Sequence, residues 1–327
     1  MRAMSQRAPG APLSLERLPT PRPGPGQVLL KVEACAVCRT DLHVVDGELP
    51  GLRYPVTPGH EVIGIVEETG EGVDPRLAGR RAGAAWLAWT CGRCAFCLTG
   101  RENLCDAAAF TGYTRDGGFA SHMLAEAAYV YPLPQAGPAE SMAPWMCAGL
   151  IGWRALRAAG DARRLGVYGF GSAGQALAQI CAWQHRRLHA YTRPGDAVAQ
   201  LHARTLGAAW AGDSGVDPPE PLDAAIIFAP VGELVPMALR AVRKGGCVVC
   251  GGIHMTDIPA FPYRLLWGER KLVSVANLTR ADAREFLALA PAAGIHCDVR
   301  TYPLEQANDA LDDLRQGRLQ ATAVLIP

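Results

Sequence analysis

Two short segments in the first part of the chain carry residue types that bind zinc and transfer protons. The segment Cys38–His43 reads Cys-Arg-Thr-Asp-Leu-His, and the segment Gly59–Glu61 reads Gly-His-Glu. The thiolate of the first segment and the imidazole of the second are ligands that zinc prefers. A hydroxyl and a second imidazole beside a metal can take a proton from a bound alcohol and pass it to water, which makes Thr40 and His43 candidates for a proton path.

A catalytic zinc needs a third protein ligand and keeps its fourth position open. Cys38 and His60 supply two ligands, so the third has to come from elsewhere in the chain. Cys147, in the segment Ala143–Gly149 (Ala-Pro-Trp-Met-Cys-Ala-Gly), is the candidate. The alternative is that Cys38 is an ordinary buried cysteine and His60 a core histidine, close to each other only in sequence.

Four cysteines follow the pattern C-x2-C-x2-C-x7-C; they are Cys91, Cys94, Cys97 and Cys105. Four thiolates this close in sequence can surround one tetrahedral zinc without any other ligand. Because such a shell is closed, we expect a structural zinc in a lobe spanning about residues 88–108, and we expect bound metal to supply much of the lobe's order. Four unrelated free cysteines are the alternative.

A glycine-rich segment lies between a predicted strand and a predicted helix. The apolar run Leu165–Tyr168 leads into Gly169–Gly174 (Gly-Phe-Gly-Ser-Ala-Gly), and helical spacing follows over Gln175–Cys181. In a dinucleotide fingerprint the glycines let the backbone approach a pyrophosphate, and the helix N-terminus offers it unpaired N–H groups. The predicted cofactor contacts here are Gly169, Gly171, Ser172, Ala173 and Gly174. An ordinary glycine-rich turn is the alternative.

The pattern of apolar residues changes along the chain. The early part has short strands and turns, such as the alternation over Val28–Ala34, which indicates a β-rich, barrel-like domain. Residues 141–159 have helical spacing. Between Leu165 and Val275, apolar strands alternate with helices, as is typical of a parallel doubly wound sheet. Residues 212–221 contain three prolines, which predicts a crossover without a helix.

The C-terminal part and the overall composition set further limits. A helix is expected over 281–290, and the final apolar run Ala323–Ile326 could return to the first domain. A length of 327 residues suggests two domains, and a net charge of +1 argues against nucleic acid as a partner. No secretory signal and no membrane span are expected, and eleven cysteines indicate metal binding in an intracellular, cytoplasmic protein.

Taken together, these motifs resemble the zinc-dependent alcohol dehydrogenases of the medium-chain dehydrogenase/reductase superfamily. Five motifs occur in family order: C-x2-D-x-H, G-H-E, the four-cysteine lobe, A-P-x-x-C-A-G and the glycine fingerprint. The resemblance implies an α/β fold with two domains. A GroES-like β-rich catalytic domain would comprise residues 1–135 and 279–327, and a Rossmann domain with a doubly wound parallel sheet would comprise residues 136–278.

The resemblance also implies roles for individual residues. Cys38, His60 and Cys147 fall on the catalytic zinc ligands, and Glu61 falls on an acidic neighbour that can approach the metal. The remaining matches are Asp41 for orienting the ligand histidine, Thr40 and His43 for the proton relay, and Arg39 and Arg280 for cofactor phosphates. From the residues alone, Asp41 and Arg39 also fit a solvated ion pair. Trp86 matches an aromatic position of the substrate pocket, although it fits a core residue equally well.

Two segments depart from the family pattern. The turn Gly79–Ala82 reads Gly-Arg-Arg-Ala, whereas relatives carry Gly-Asp-Arg/Lys-Val, which puts stability in question more than activity. NAD sites usually place an acidic residue at the end of the second nucleotide-binding strand. Here Thr192 and Arg193 stand there, and an arginine suits a 2′-phosphate, so we expect NADP rather than NAD. Asp196 could still turn toward the ribose and favour NAD.

The expected function is the interconversion of alcohols and aldehydes or ketones by hydride transfer to or from a nicotinamide cofactor, with two zinc ions per chain. Apolar pocket candidates favour a small neutral alcohol or aldehyde, and the family habit favours a homo-dimer or homo-tetramer. Two alternatives are a zinc-binding structural or redox-sensing module and a zinc-free quinone or enone reductase. The first leaves the glycine fingerprint unused, and the second normally lacks both cysteine clusters.

Overall fold

The computed structural model describes all 327 residues, which form two compact units. The first unit comprises Met1–Cys147, Thr279–Leu287 and His296–Pro327. The second comprises Ala148–Leu278 and Ala288–Ile295. Both ends of the chain therefore belong to one unit.

The first part of the chain, up to residue 147, consists mostly of short strands. Its strands are β1 (Arg2–Ser5), β2 (Ser14–Arg17), β3 (Gln27–Ala36), β4 (Glu61–Thr69), β5 (Arg81–Ala84), β6 (Leu87–Trp89), β7 (Ala109–Phe110), β8 (His122–Glu126) and β9 (Val130–Pro132). Its helices are α1 (Arg39–Val45), α2 (Ala95–Leu98) and α3 (Ala139–Met142).

Strands and helices alternate in the second unit, and the chain then returns to the first. The elements from residue 148 to 278 are α4 (Ala148–Ala158), β10 (Arg164–Tyr168), α5 (Ser172–Trp183), β11 (Arg187–Thr192), α6 (Ala197–Thr205), β12 (Trp210–Asp213), β13 (Leu222–Ile227), α7 (Leu234–Ala241), β14 (Val242–Cys250) and β15 (Lys271–Ser274). The final elements are α8 (Arg280–Leu289), β16 (Val299–Pro303), α9 (Ala307–Arg315) and β17 (Thr322–Ile326).

The main sheet of the first unit brings the two candidate zinc-binding segments together. Its strand order is β16-β17-β3-β4-β5-β9, and β8 also pairs with β3. The antiparallel pairing of β3 with β4 sets Ala36 opposite Glu61. Cys38 follows β3 and His60 precedes β4, so this register brings the two residues close to each other. The last strand pairs with β3 through Val324 and Ala36, as the apolar chain end predicted.

The strand β3 is held at its place by alternating apolar side chains and by one glycine of its neighbour. Val28, Leu30 and Val32 point into the buried core of this unit. At Gly64 of β4, a Cβ atom would lie 2.5 Å from the Lys31 carbonyl oxygen. A side chain there would push the two strands apart, so only glycine allows this approach.

The second unit contains a six-stranded sheet in the order β12-β11-β10-β13-β14-β15, in which all neighbouring strands are parallel. This is the strand order of a doubly wound nucleotide-binding sheet, and the predicted fold class is confirmed. No helix forms between β12 and β13, as the prolines of residues 212–221 predicted.

The predicted continuous helical spacing over 141–159 is interrupted in the structure. α3 is followed by a 3₁₀ turn over Ala143–Met146, and Cys147 adopts φ −132° and ψ −66° before α4 begins. Pro144 explains the break, because it has no N–H to donate to the carbonyl of Glu140. The break leaves Cys147 outside any regular helix.

The helices of this fold are short, and none has the length and apolar character required to cross a lipid bilayer.

Arg81 stabilises the turn Gly79–Ala82, which departs from the family pattern. Its Nε donates to a carboxylate oxygen of Glu33 at 2.8 Å, and its Nη1 donates to the carbonyls of Gln135 and Gly137 at 3.1 and 2.8 Å. Only 12% of the Arg81 side chain is exposed. These contacts tie β5 to the segment that follows β9.

Replacing this arginine tests whether the turn contributes to stability. Because Arg81→Ala leaves a partly buried carboxylate and several carbonyls without a donor, we expect the free energy of unfolding to fall by about 1–3 kcal/mol. The midpoint of urea denaturation measures the change. Arg76→Ala is the matched control, since exposed Arg76 pairs only with neighbouring Asp74 and its loss leaves the midpoint unchanged. Equal midpoints for the two variants would contradict the role of Arg81.

Candidate active site and metal centres

The carboxylate of Asp41 organises the start of α1 and the residues before β4. Cys38 is the N-cap of α1, and its thiol accepts a hydrogen bond from Thr40 N at 3.3 Å. Asp41 is fully buried and accepts from Cys38 N at 2.9 Å and from Gly59 N at 3.2 Å. It also lies 3.1 Å from His60 Nδ1. This contact leaves His60 Nε2 as the nitrogen that faces the Cys38 thiol, at 3.3 Å.

The structure brings the predicted catalytic ligands together. Cys38, His60, Glu61 and Cys147 each offer one ligand atom, and these atoms all lie within 4.8 Å of one another. His60 and Glu61 are buried. Cys147 reaches the group because the break after Met146 separates it from the flanking helices. Two sulfurs, one imidazole and one carboxylate form a donor set that suits zinc.

The electrostatics of this group also fit a bound cation. Burial raises the pKa of the Glu61 carboxyl well above its usual value, and Oε2 of this side chain is buried without a hydrogen-bond partner. The contact with Cys147 and burial raise the pKa of the Cys38 thiol. Burial lowers the pKa of His60, but the Asp41 and Cys38 charges outweigh it and raise the pKa overall. A divalent cation would compensate the crowded acidic groups.

The four remaining predicted ligands form a second cluster in the predicted lobe. Cys91, Cys94, Cys97 and Cys105 each offer a sulfur to this group, and these sulfurs lie within 4.8 Å of one another. Hydrogen bonds from the backbone N–H groups of Arg93 and Cys94 lower the pKa of Cys91 to about 6. The surrounding elements are the short β6, α2 and β7, and α2 has no buried residue. A closed four-sulfur shell therefore fits a structural zinc.

The two residues of the predicted proton path lie on α1. Thr40 and His43 are three residues apart, so they share one face of the helix. Nδ1 of His43 lies 2.5 Å from Oε2 of Glu48. Sequence reasoning missed Glu48, and its only signal is its position directly after Gly47, where the helix ends.

Three stacked aromatic rings flank the ligand group; we call Trp86, Phe110 and Tyr113 the aromatic wall. The Trp86 ring meets the His60 ring edge-on, with centroids 5.1 Å apart. Phe110 and Tyr113 stack on Trp86 at 5.3 and 5.7 Å. Trp86 is therefore a core residue and also a neighbour of His60, a predicted metal ligand. Phe110 and Tyr113 gave no sequence signal, because their contacts with Trp86 arise only in the folded chain.

The glycine-rich segment of the second unit forms a tight turn between β10 and α5. Gly169 has a φ of +93°, and a Cβ atom there would lie 2.8 Å from Ala229 N. At Gly174, a Cβ atom would lie 2.8 Å from the Gly169 carbonyl oxygen. Gly171 is the N-cap of α5, so no side chain caps the first turn, in which Ser172 and Ala173 lie. Such a helix start is suited to bind a phosphate.

The end of β11 presents a cation rather than a carboxylate. Thr192 is buried, and its hydroxyl accepts from Gln200 Nε2 at 3.1 Å, so it is already occupied. Arg193 is exposed and its guanidinium has no partner. Asp196 caps α6 by accepting from Ala199 N at 3.0 Å, which engages the acidic side chain that might have reached a ribose.

The two arginines predicted to contact phosphates differ in their surroundings. Arg39 is the exposed first residue of α1. Arg280 donates from Nε to Glu102 at 3.3 Å, and its guanidinium lies over the Tyr129 ring at 5.1 Å. A phosphate contact by Arg280 would have to share this guanidinium with Glu102.

This chain is similar to known alcohol dehydrogenases over nearly its whole length. Residues 24–135 match the alcohol dehydrogenase GroES-like domain, which confirms the predicted class of the β-rich domain. A probable alcohol dehydrogenase, AdhA, of Mycobacterium tuberculosis (strain CDC 1551 / Oshkosh) is 45% identical over 339 residues, covering 100% of this chain and 97% of the relative.

Two solved structures share the fold over their whole length. A Sinorhizobium meliloti 1021 dehydrogenase, classed as zinc-binding and bound to NADP, is 26% identical with a TM-score of 0.89, covering 100% of this chain and 99% of the other. Acetophenone reductase from Geotrichum candidum NBRC 4597, in complex with NAD, is 26% identical with a TM-score of 0.88, covering 100% and 97%.

Replacing Cys147 tests the first metal cluster. Because serine is a poor zinc ligand, Cys147→Ser should remove about one zinc per chain and nearly all turnover while the fold persists. Metal analysis, circular dichroism and steady-state rates measure these three quantities. Cys250→Ser is the control, since Cys250 belongs to neither cluster. Full turnover by a Cys147→Ser protein that has lost this zinc would refute the ligand assignment.

Replacing Cys97 tests the second cluster. Opening the closed shell removes the metal that orders the lobe, so Cys97→Ser should lose a different zinc and unfold at a lower temperature. The melting temperature should fall clearly. The rate of the chemical step, measured in single-turnover experiments below the new melting temperature, should change little. An unchanged zinc content together with an unchanged melting temperature would show that these four cysteines hold no structural metal.

Proposed function

This chain belongs to the zinc-type medium-chain alcohol dehydrogenases, and from that premise we propose which of its residues carry the reaction. The family predicted from the sequence motifs is confirmed. The enzyme is an NAD(P)-dependent oxidoreductase that interconverts alcohols and aldehydes or ketones by hydride transfer.

One observation carries the proposal: four ligand atoms, two of them from buried residues, lie within 4.8 Å of one another, and one belongs to a histidine whose Nδ1 contacts Asp41. Cys38, His60 and Cys147 would hold the catalytic zinc, with Glu61 as a neighbour that can approach it. Zinc at this position supplies Lewis-acid chemistry, which lowers the pKa of an alcohol. Asp41 keeps the His60 ring in the orientation that directs Nε2 to the ligand group. The second zinc, held by the four cysteines of the lobe, would be structural.

The proton of the alcohol leaves along α1. The Thr40 hydroxyl accepts the substrate proton as it gives up its own, and His43 receives that proton on the same face of the helix. The side chain of His43 is 15% exposed, so the ring is within reach of water and can pass the proton on to solvent. Positioned acid–base groups of this kind contribute roughly 10²–10⁴-fold to rate.

The substrate class follows from the side chains beside the ligand group. The aromatic wall belongs to a hydrophobic cluster that includes buried Val44 and Val56 and half-buried Leu49 and Leu52. An apolar surface of this kind binds uncharged groups and gives no partner to a carboxylate or an amine. The substrates are therefore small neutral alcohols and the corresponding carbonyl compounds.

We propose NADP as the preferred cofactor, with NAD as the alternative. Arg193 is exposed and unpaired, whereas the hydroxyl of Thr192 and the carboxylate of Asp196 are engaged within the protein. An unpaired guanidinium recognises a 2′-phosphate well. Arg39 and Arg280 are proposed, on the family resemblance, to contact the other phosphates.

The proposal extends to assembly, location and domains. β15 lies at the edge of its sheet, and nearby Tyr263 and Trp267 are 68% and 66% exposed. An open strand edge beside exposed aromatic side chains suits pairing with a second copy, which supports a homo-dimer or homo-tetramer. We also propose a cytoplasmic location. We propose that residues 136–278 form the domain that binds the nucleotide. This domain begins twelve residues before the second compact unit, which starts at Ala148.

Kinetics with both cofactors test the activity and the cofactor preference together. The wild-type enzyme should reduce NADP in the presence of a small primary alcohol, with a lower KM than for NAD. Because Arg193→Ala removes one charge-assisted phosphate contact, NADP binding should weaken by about 1.5–3 kcal/mol while NAD binding changes little. Steady-state rates from nicotinamide absorbance give both constants.

A matched control separates the local contact from a general loss of charge. Arg187 lies at the opposite end of the same strand and pairs with Glu220 at 2.9 Å, so Arg187→Ala should leave both cofactor constants unchanged. A wild-type preference for NAD that Arg193→Ala does not alter would reject NADP and retain the dehydrogenase. Absence of alcohol-dependent turnover with either cofactor would reject the activity itself.

A further inference from the structure

We propose that Glu48 is a positioning residue for the proton path and holds the His43 ring through Nδ1. The inference rests on the proposed function, in which His43 receives the substrate proton. It adds a residue outside the motif segments, and this residue is brought to the histidine by the way α1 ends.

The end of α1 fixes where Glu48 lies. Gly47 has a φ of +76°, and its N–H donates to the Val44 carbonyl at 3.1 Å. The next N–H, of Glu48, donates to the His43 carbonyl at 3.0 Å. These two hydrogen bonds form a Schellman motif. In this motif the two residues linked by the bond that spans more of the chain, here His43 and Glu48, place their side chains next to each other. Usually both are apolar, but here they are an imidazole and a carboxylate.

The turn that carries Glu48 is held from several sides. A Cβ atom on Gly47 would lie 2.8 Å from Cβ of Pro9, so this position requires glycine for space as well as for its φ. The Val45 carbonyl accepts from Gly10 N at 2.9 Å and from Gln6 Nε2 at 2.6 Å. Glu48 is thus placed by the fold rather than by an attraction to His43 alone.

The contact with Glu48 determines which nitrogen of His43 can accept a proton. Oε2 of Glu48 lies 2.5 Å from Nδ1, and an ionised carboxylate can only accept a hydrogen bond. Nδ1 therefore carries the hydrogen in the neutral ring, and the lone pair is on Nε2. A histidine without this partner divides between two tautomers, one of which cannot accept a proton at Nε2.

The proton balance of the step is simple. One proton arrives at Nε2 and gives an imidazolium, and the same nitrogen then releases a proton to water while Nδ1 keeps its hydrogen. No covalent bond to Glu48 forms or breaks, and its carboxylate accepts the hydrogen bond from Nδ1–H throughout the step. The side chain of His43 is 15% exposed, which leaves the ring within reach of water, and that of Glu48 is 57% exposed. The adjoining ion pair of Asp46 and Arg315 holds this turn to α9.

The competing interpretation is that Glu48 merely completes the end of the helix. Glu48→Leu separates the two, because leucine supplies the apolar contact typical of this motif but accepts no hydrogen bond. We expect its melting temperature to stay equal or rise, its kcat for alcohol oxidation to fall about tenfold, and its KM values to change less than about twofold. Glu48→Gln should lose less, since its amide oxygen still accepts from Nδ1.

A spectroscopic signature and a control complete the experiment. The ¹⁵N signals of the labelled His43 ring should show Nδ1–H in the wild type and a mixture of tautomers in Glu48→Leu. Glu305→Gln removes a comparable exposed carboxylate, paired with Arg2, and should leave kcat and the His43 signals unchanged. Wild-type kcat in Glu48→Leu, or a tenfold loss with unchanged tautomer signals, would overturn the proposal.

The role of His43 is tested separately, so that a failure of the proposed proton path can be distinguished from a failure of the Glu48 inference. If His43→Ala keeps the wild-type kcat, the proton path of the proposed function is wrong. If His43→Ala is slow, Glu48→Leu should cause no further loss in that background, because its effect acts through the ring. A full additional tenfold loss in the double variant would show that Glu48 acts independently of His43, and the inference would then be rejected.

Discussion

The buried carboxylate of Asp41 is the constraint on which the rest of the catalytic unit depends. It accepts from Cys38 N and Gly59 N and contacts His60 Nδ1, at 2.9, 3.2 and 3.1 Å. A buried carboxylate without such partners would be strongly unfavourable, so the three contacts and its burial require one another. The same group therefore starts α1, closes the loop before β4 and orients His60, a proposed metal ligand.

Ordinary secondary-structure rules then complete the site. The register of β3 with β4 brings Cys38 near His60, and the proline at position 144 breaks a helix so that Cys147 can join them. As anions, the thiolate and carboxylate groups collected in this way are unfavourable in a mostly enclosed space unless a cation accompanies them. The ligand group is thus a product of backbone geometry, and the metal is what its chemistry requires. In the other unit, the absence of side-chain caps at the start of α5 leaves backbone donors for a phosphate.

Much of this could be predicted from the sequence, because dense local patterns carry their own geometry. The closed four-cysteine spacing, Cys38 at the start of a helix and the glycine turn are determined by neighbours in sequence. The break before Cys147 was missed because helical spacing outweighed a single proline. The stacking of Phe110 on Trp86 and the engagement of the Thr192 hydroxyl depend on contacts between distant segments, which no local pattern contains. Glu48 is an intermediate case. The Schellman motif that places it is local in sequence, but the two side chains that meet in this motif are normally apolar, so the pattern does not indicate a carboxylate beside a histidine.

Zinc content of the purified wild-type protein tests the central claim most directly, because both proposed sites are defined by their ligands. The chain should contain about two zinc ions, one in an open site with three protein ligands and one in a closed site with four thiolates. Atomic emission spectroscopy on protein prepared without chelators gives the ratio. A single zinc with no alcohol-dependent turnover would leave only a structural module, and full turnover of a protein containing no zinc would contradict the account.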